Sequence, residues 1–428
     1  MPDYKQAFPH ISPVWTRYSP IIVQHGQGSY LYDQDGKAYL DFTCGIGVTN
    51  TGHCHPRVVA AIQHQAGLLI HGQVNIIMHT PMLELVNELR QIVSPNLDGF
   101  FFSNSGAEAI EGAIKLARHA TKRQNIIVFQ GSFHGRTIGT MSLTTSKTIY
   151  RAGYQPLMPG VFVAPYPYAY RFGWDNEKTS QWCLDELDFL LTTQTAPEET
   201  AAILIEPVLG EGGYVVPPKD FLQGLRKVCD KHGILFILDE IQSGFGRTGE
   251  WFAFEHFEVE PDILTVAKGL ASGMPISGVF SSLELMEAWI PGSHGGTFGG
   301  NVVAAAAAVA TIQAIREEGM LANCQQRGKQ LMEGLGELKR RFPIIGDLRG
   351  LGLMIGTEFR TQDRKPDKIT AKAIIHACQD RQLLLLTCGP WDNTIRWIPP
   401  LIVTKDQIDQ ALDIFAESLQ EVTQKVSD

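Results

Sequence analysis

A chain of 428 residues with 44% apolar content has ample material for a large core. Its 36 basic and 45 acidic residues leave a formal charge of -9, the wrong sign for an electrostatic nucleic-acid footprint, so small molecules are the expected partners. The seven cysteines (Cys44, Cys54, Cys183, Cys229, Cys324, Cys378 and Cys388) are scattered and form no CxxC pair, which predicts reduced thiols in a cytoplasmic setting.

The N-terminal stretch MPDYKQAFPHISP carries prolines where a signal peptide needs an apolar core. The longest apolar run, Val302 to Ala310, is too short to span a bilayer. The expectation is a soluble, unexported protein without a membrane partner. Residues 1–55 read as an arm with short strands, in which Tyr30-Leu31-Tyr32 and Ala38-Tyr39-Leu40 flank the Asp-Gly turn of Asp33 to Lys37. Glycines at 45, 47 and 52 make a loop, and Pro56 suits the first turn of the next helix. The Gly52-His53-Cys54-His55 segment has too few ligands nearby for a metal site and reads as a helix entry; no metal is expected.

Residues 56–320 alternate helix with short apolar strand, the pattern of an α/β domain with a parallel sheet. The candidate strands are Phe100 to Phe102, Ile126 to Phe129, Ala202 to Ile205, Ile234 to Leu238, Ile263 to Ala267 and Ile276 to Ser281. Amphipathic helices are expected at Pro81 to Val93 and Phe221 to His232. The alanine-rich Val302 to Ala310 suggests a helix packed closely on a neighbour. Residues 321–428 read as a smaller α+β domain, joined by the N-terminal segment. It has helices at Leu321 to Arg340 and Thr370 to Arg381, and strands around Leu353 to Phe359, Leu383 to Thr387 and Thr394 to Ile398. A last helix is capped by Thr404 and Gln407.

Three features carry chemistry. Phe101 to Ala109, FFSNSGAEA, is a strand, a small polar turn and a helix start, which would offer free amide N–H groups and the Ser105 hydroxyl to a phosphate; on the motif alone an ordinary serine cap is the commoner reading. Gly244 to Gly249 matches GxGxxG after a strand, but no helix follows directly and the next strand ends in Lys268 rather than an acid, so a dinucleotide site is not expected. Asp239 and Lys268 each stand at the carboxyl end of a buried strand, where ligands of parallel sheets bind. A carboxylate for a pyridine nitrogen, an amine for an aldehyde and a phosphate cup are the three handles that pyridoxal 5'-phosphate requires.

Taken in order, DGKAYLDF, GIGVTNTGHCHP, SNSGAEAIEGAIKLAR, GSFHGRT, IEPVLGEGG, LDEIQSGFGRTG, the Lys268 segment, GGTFGGN and LLLLTCGPWDNTIRWIPPL span nearly the whole chain. In this set the sequence resembles the class III, fold type I pyridoxal-phosphate aminotransferases, and most of all their 4-aminobutyrate branch. The resemblance implies a large domain with a mostly parallel seven-stranded sheet, and a small domain built from both chain ends. It implies that Lys268 holds the cofactor aldehyde as a Schiff base and then moves the proton, while Asp239 pairs with the pyridine nitrogen. Ser105, Gly106 and Ala107 would hold the phosphate, with Thr297 reaching the partner's cofactor across a homodimer interface. Phe133 would stack on the ring, Ile241 would pack its other face and Gln242 would reach its hydroxyl. His134 is left as a structural hydrogen-bonding residue.

The resemblance further implies substrate contacts. Arg396 would bind the α-carboxylate of 2-oxoglutarate, Glu211 would neutralise Arg396 when an ω-amino donor is bound, Arg136 would take the distal carboxylate and Ile46 would line the pocket. A fixed structural Glu211–Arg396 salt bridge is the alternative. The chain departs from the family at His71 to Pro81, HGQVNIIMHTP, where 4-aminobutyrate enzymes commonly carry an aromatic near Val74 and a glutamine near Asn75. Other ω-amino acids, ornithine-type donors and amino-acid racemisation stay open.

Overall fold

The computed structural model describes residues 4–427. A seven-stranded sheet runs in the order Gly99–Ser103, Ser277–Ser281, Ile263–Val266, Leu235–Asp239, Thr200–Ile205, Asn125–Phe129 and Val161–Ala164. All neighbours are parallel except Ser277–Ser281, which runs antiparallel to both of its partners. Alternate side chains of each strand serve opposite faces. Ile126, Val128 and Ile237 pack with Ile110, Ala113 and Ala117 of the helix Gly106–Thr121. Ile127, Phe129, Phe236 and Leu238 pack with Phe221, Leu222 and Leu225 of the helix Lys219–His232. Cover on both faces explains the continuous apolar runs. Each buried Ile, Val, Leu or Phe among them contributes about 1.5–3 kcal/mol.

Six of these strands lie where the apolar runs predict them, shifted by a residue or two. Val161–Ala164 is the exception. It is a four-residue edge strand with Val163 exposed, and Pro165 follows it, so neither its length nor its pattern marks it out. The strand Ile263–Val266 stops short of the expected Ala267: Ala267 has φ -163° and ψ -137°, and Lys268 turns to φ +37°.

The chain ends form two smaller sheets. Ile345–Leu351, Met354–Phe359, Thr394–Trp397 and Leu386–Cys388 make one, antiparallel throughout. Val23–Gln27, Tyr30–Asp33, Ala38–Asp41 and Leu383–Leu384 make the other, the last pair parallel. The single strand expected over Leu383 to Thr387 is thus divided at Leu385 between two sheets. The expected helix over Pro81 to Val93 is Thr80–Leu89, and the alanine run lies in the longer helix Val302–Glu317, packed on Pro56–Leu68 and on Thr80–Leu89. The terminal helix Lys405–Ser427 starts as expected: Gln407 N–H donates to Thr404 Oγ1 at 3.2 Å and Thr404 N–H to Gln407 Oε1 at 3.0 Å.

Residues 244–249, the GxGxxG segment, are all buried. Arg247 within it is fully buried and donates to Asn50 Oδ1 at 2.8 Å and to the carbonyls of Leu353 (3.3 Å) and Pro399. One guanidinium therefore ties the N-terminal and C-terminal segments to the large sheet. His53 lies 2.8 Å from Asp41 and His55 lies 3.1 Å from Glu318, so the two histidines face separate partners, and Cys54 is exposed. Among the described residues no helix is long and apolar enough to cross a membrane.

Candidate active site

The strand ends of the large sheet open onto a pocket of about 560 Å³. Ile46, Ser105, Gly106, Ala107, Phe133, Arg136, Glu211, Asp239, Ile241, Gln242, Lys268 and Arg396 all line it. Thr297 does not; it lies on an exposed loop.

Asp239 ends its strand with its carboxylate held on two sides. Its Oδ2 lies 2.7 Å from His134 Nδ1, and its Oδ1 accepts the N–H of Ile241 at 3.0 Å. The next residue, Glu240, projects to the opposite face, where its carboxylate accepts the N–H groups of Ala253 and Phe254 at 2.8 Å each. Loss of solvation pulls the Lys268 ammonium down to about 8; the Asp239 charge opposes the drop and Arg396 adds to it. A lysine at φ +37° is strained backbone, of the sort retained where function needs it.

The helix Gly106–Thr121 presents its first turn to the pocket, and its leading N–H groups have no preceding turn to pair with. Ser105 is also a true cap: its Oγ accepts from Glu108 N–H at 3.3 Å and donates to Glu108 Oε2 at 3.0 Å. Gly106 has a steric reason, since a Cβ there would stand 2.8 Å from Ile241 Cδ1. Gln242 Oε1 is buried with no partner among the described residues. Ile46 sits at φ +68°, an outlier for a β-branched residue, in a turn anchored by Asp41 through Thr43 N–H at 2.8 Å.

Arg396, also in the lining, is 4% exposed. Its Nη1 donates to Glu211 Oε2 at 3.0 Å and its Nη2 to the Thr387 carbonyl at 3.1 Å, while its Nε has no partner among the described residues. Burial alone would raise the Glu211 carboxyl, but Arg396 and Lys147 outweigh it and hold the group below its usual range. Arg136 lies over the rings of Tyr150 (4.8 Å) and Phe133 (5.8 Å) and has no carboxylate partner among the described residues.

The family model described as Aminotransferase class-III matches residues 11–419. The chain belongs to the class III aminotransferases. It is 42% identical over 400 residues to a probable 4-aminobutyrate aminotransferase of Bacillus subtilis, covering 92% of each chain. It is 39% identical to a 5-aminovalerate aminotransferase of Pseudomonas aeruginosa, covering 94% of each. Among solved structures, an amine transaminase of an uncultivated Pseudomonas species in its pyridoxal-phosphate-bound form superposes with a TM-score of 0.90 at 28% identity, over 96% of this chain and 98% of that one.

A class III aminotransferase uses pyridoxal 5'-phosphate, and this pocket fits it. The unpartnered Gln242 Oε1, the helix start at Gly106 and the enclosed Asp239 are the three polar features a phosphorylated hydroxypyridine would answer. The sequence reading missed several pocket residues of this aminotransferase. Glu206 lies just beyond the strand Thr200–Ile205, the same strand-end signal that singled out Asp239. It accepts the N–H groups of Phe133 and Gly210 at 2.8 Å each, and burial pushes it up to about 7. Tyr150 ends the short turn Thr148–Tyr150 and lines the pocket, Lys147 stands just before that turn behind the lining, and no pattern in the sequence draws either toward Glu211.

Proposed function

We propose that this aminotransferase moves the amino group of an ω-amino acid of the 4-aminobutyrate type to 2-oxoglutarate, giving the semialdehyde and glutamate in two alternating half-reactions. One observation carries the reading. The pocket holds two arginines, and one of them, Arg396, is masked by a carboxylate at 3.0 Å while the other, Arg136, has none. A donor with one carboxylate needs one arginine; a dicarboxylic keto acid needs both. Glu211 covers Arg396 for the first and yields it to the second.

In this reading Asp239 faces the pyridine nitrogen, with His134 fixing the carboxylate's orientation. Ser105, Gly106 and Ala107 hold the phosphate, Phe133 and Ile241 enclose the ring from its two faces, and Gln242 answers its hydroxyl. Bound pyridoxal phosphate supplies the electron sink that lets a C–H bond beside nitrogen break. Lys268 Nζ takes the proton from that carbon, and an amine drawn down to about 8 is about one-tenth uncharged at pH 7, far more than a solvated lysine. Ile46 narrows the substrate end.

We place the enzyme in the cytoplasm as a homodimer. Leu68, Ile70, Ile76, Met78 and Phe298 are exposed beside the segment His71 to Pro81 and the Thr297 loop, and an apolar surface of that kind fits burial against a second copy. Thr297 and the divergent segment then serve the partner's pocket; a single-chain mass in sedimentation equilibrium contradicts this. The chemistry is tested by a donor screen with 2-oxoglutarate, measuring glutamate formed from 4-aminobutyrate, 5-aminovalerate, ornithine, N-acetylornithine and common α-amino acids. An ω-amino acid is expected to give the highest kcat/KM. If an α-amino acid exceeds them all, the donor assignment is wrong.

A further inference from the structure

Glu211 is shared. While Oε2 accepts from Arg396, Oε1 accepts from Tyr150 OH at 3.1 Å and from Lys147 Nζ at 3.4 Å. Lys147 also pairs with Asp392, whose second oxygen takes Lys368 Nζ at 2.7 Å. Lys368, Asp392, Lys147, Glu211 and Arg396 thus form a chain of alternating charge, running from a half-exposed lysine to the buried guanidinium. The residues come from separate parts of the fold. Lys147 precedes the short turn Thr148–Tyr150, Asp392 lies in the loop before the strand Thr394–Trp397, and Lys368 opens the helix Lys368–Asp380. Asp392 holds φ +54°, so its placement is set by a tight loop.

The chain contains three cations and two carboxylates. It is one carboxylate short of balance, and a substrate α-carboxylate on Arg396 would supply it. At that moment Glu211 loses its strongest partner, and a buried carboxylate without a cation is costly. We propose that Lys147, braced by Asp392, is a specificity-determining positioning residue that keeps Glu211 paired when substrate takes Arg396. This rests on the reading of Glu211 and Arg396 as an alternating pair. Tyr150 keeps a hydrogen bond to Glu211 but brings no charge. Burial would lower the Lys147 ammonium, yet Glu211 and Asp392 more than offset it, so the lysine stays charged. Lys147 therefore favours substrates with an α-carboxylate and is indifferent to ω-amino donors, for which Glu211 never leaves Arg396.

The test is Lys147→Met in the full-length holoenzyme, with the two half-reactions followed separately by cofactor absorbance. The KM for 2-oxoglutarate is expected to rise about tenfold, while kcat/KM for 4-aminobutyrate changes less than about twofold, and Lys147→Arg recovers most of the loss. Asp392→Asn, which frees Lys147 without removing it, should give the same split at smaller size and serves in its place if Lys147→Met does not fold. In a Glu211→Gln background Lys147→Met should add nothing on the 2-oxoglutarate side, because its partner is gone. Equal losses in both half-reactions, or an undiminished effect in the Glu211→Gln background, overturn the proposal. If Glu211→Gln alone fails to separate the two half-reactions, the alternating pair itself is wrong; if it separates them and Lys147→Met does not, only the role of Lys147 falls.

Discussion

Replacing Glu211 with glutamine removes a charge and little volume, and it asks directly whether the Arg396 pair alternates or is fixed. If the pair alternates, a keto-acid carboxylate has to displace Glu211 from a guanidinium it meets at 3.0 Å in the parent protein. Full rupture of a buried pair by removing one partner costs about 3–5 kcal/mol. Here the carboxylate is also held by Tyr150 and Lys147, so the part that substrate must break is smaller. The difference between a charge-assisted and a neutral hydrogen bond, about 1–2 kcal/mol, sets the lower part of the range. Displacing glutamine rather than glutamate should therefore favour 2-oxoglutarate by about 1.4–2.8 kcal/mol, or roughly 10- to 100-fold. No such gain reaches 4-aminobutyrate, whose productive complex leaves Arg396 without a countercharge. Its single carboxylate can now also settle on Arg396 instead of Arg136, lowering kcat by non-productive binding. Rapid-mixing measurement of each half-reaction gives both kcat/KM values, and their ratio should move toward the keto acid by that 10- to 100-fold. A Glu211→Gln protein in which both half-reactions fall in proportion would falsify the alternating arrangement and leave a structural ion pair.

Two further outcomes follow from distances and charges at the cofactor end. In the cofactor-free protein, acetylation of Lys268 followed by mass spectrometry should show a midpoint near pH 8 rather than 10.5, and the signs of its neighbours are fixed: Asp239→Asn should lower the midpoint and Arg396→Gln should raise it. A midpoint unchanged from that of a solvated lysine would contradict the desolvated site. Gly106→Ala introduces a Cβ 2.8 Å from Ile241 Cδ1, so that side-chain end has to shift, and because both residues line the pocket cofactor affinity should fall by at most the about 1–3 kcal/mol that overpacking a core costs. Fluorescence titration of the cofactor-free protein reads the loss, and Ile241→Val in the same chain should recover part of it.

Residues differ in how much of their role the sequence discloses, and the difference is physical. Asp239 and Lys268 are legible because each ends a buried apolar run with a charge, and parallel strands deliver such residues to one crevice. Glu206 carries the same signal and was open to the same argument. The GxGxxG pattern is as conspicuous, yet its glycines serve a buried loop whose arginine holds three carbonyl or amide oxygens of distant segments. Glycine spacing reports backbone freedom, not its purpose. The ion chain is the opposite case. Lys147 and Asp392 stand 245 residues apart, neither interrupts an apolar run, and each alone reads as a solvated surface charge. Only the folded loops bring them into series with Glu211. A charge shared between two cations can be released by one without becoming unpaired, and that property belongs to the arrangement rather than to any single residue. It is also what an enzyme with one pocket for two substrates of unequal charge requires. The one positive charge by which that ion chain exceeds its carboxylates is therefore the feature that most directly connects this fold to its proposed chemistry.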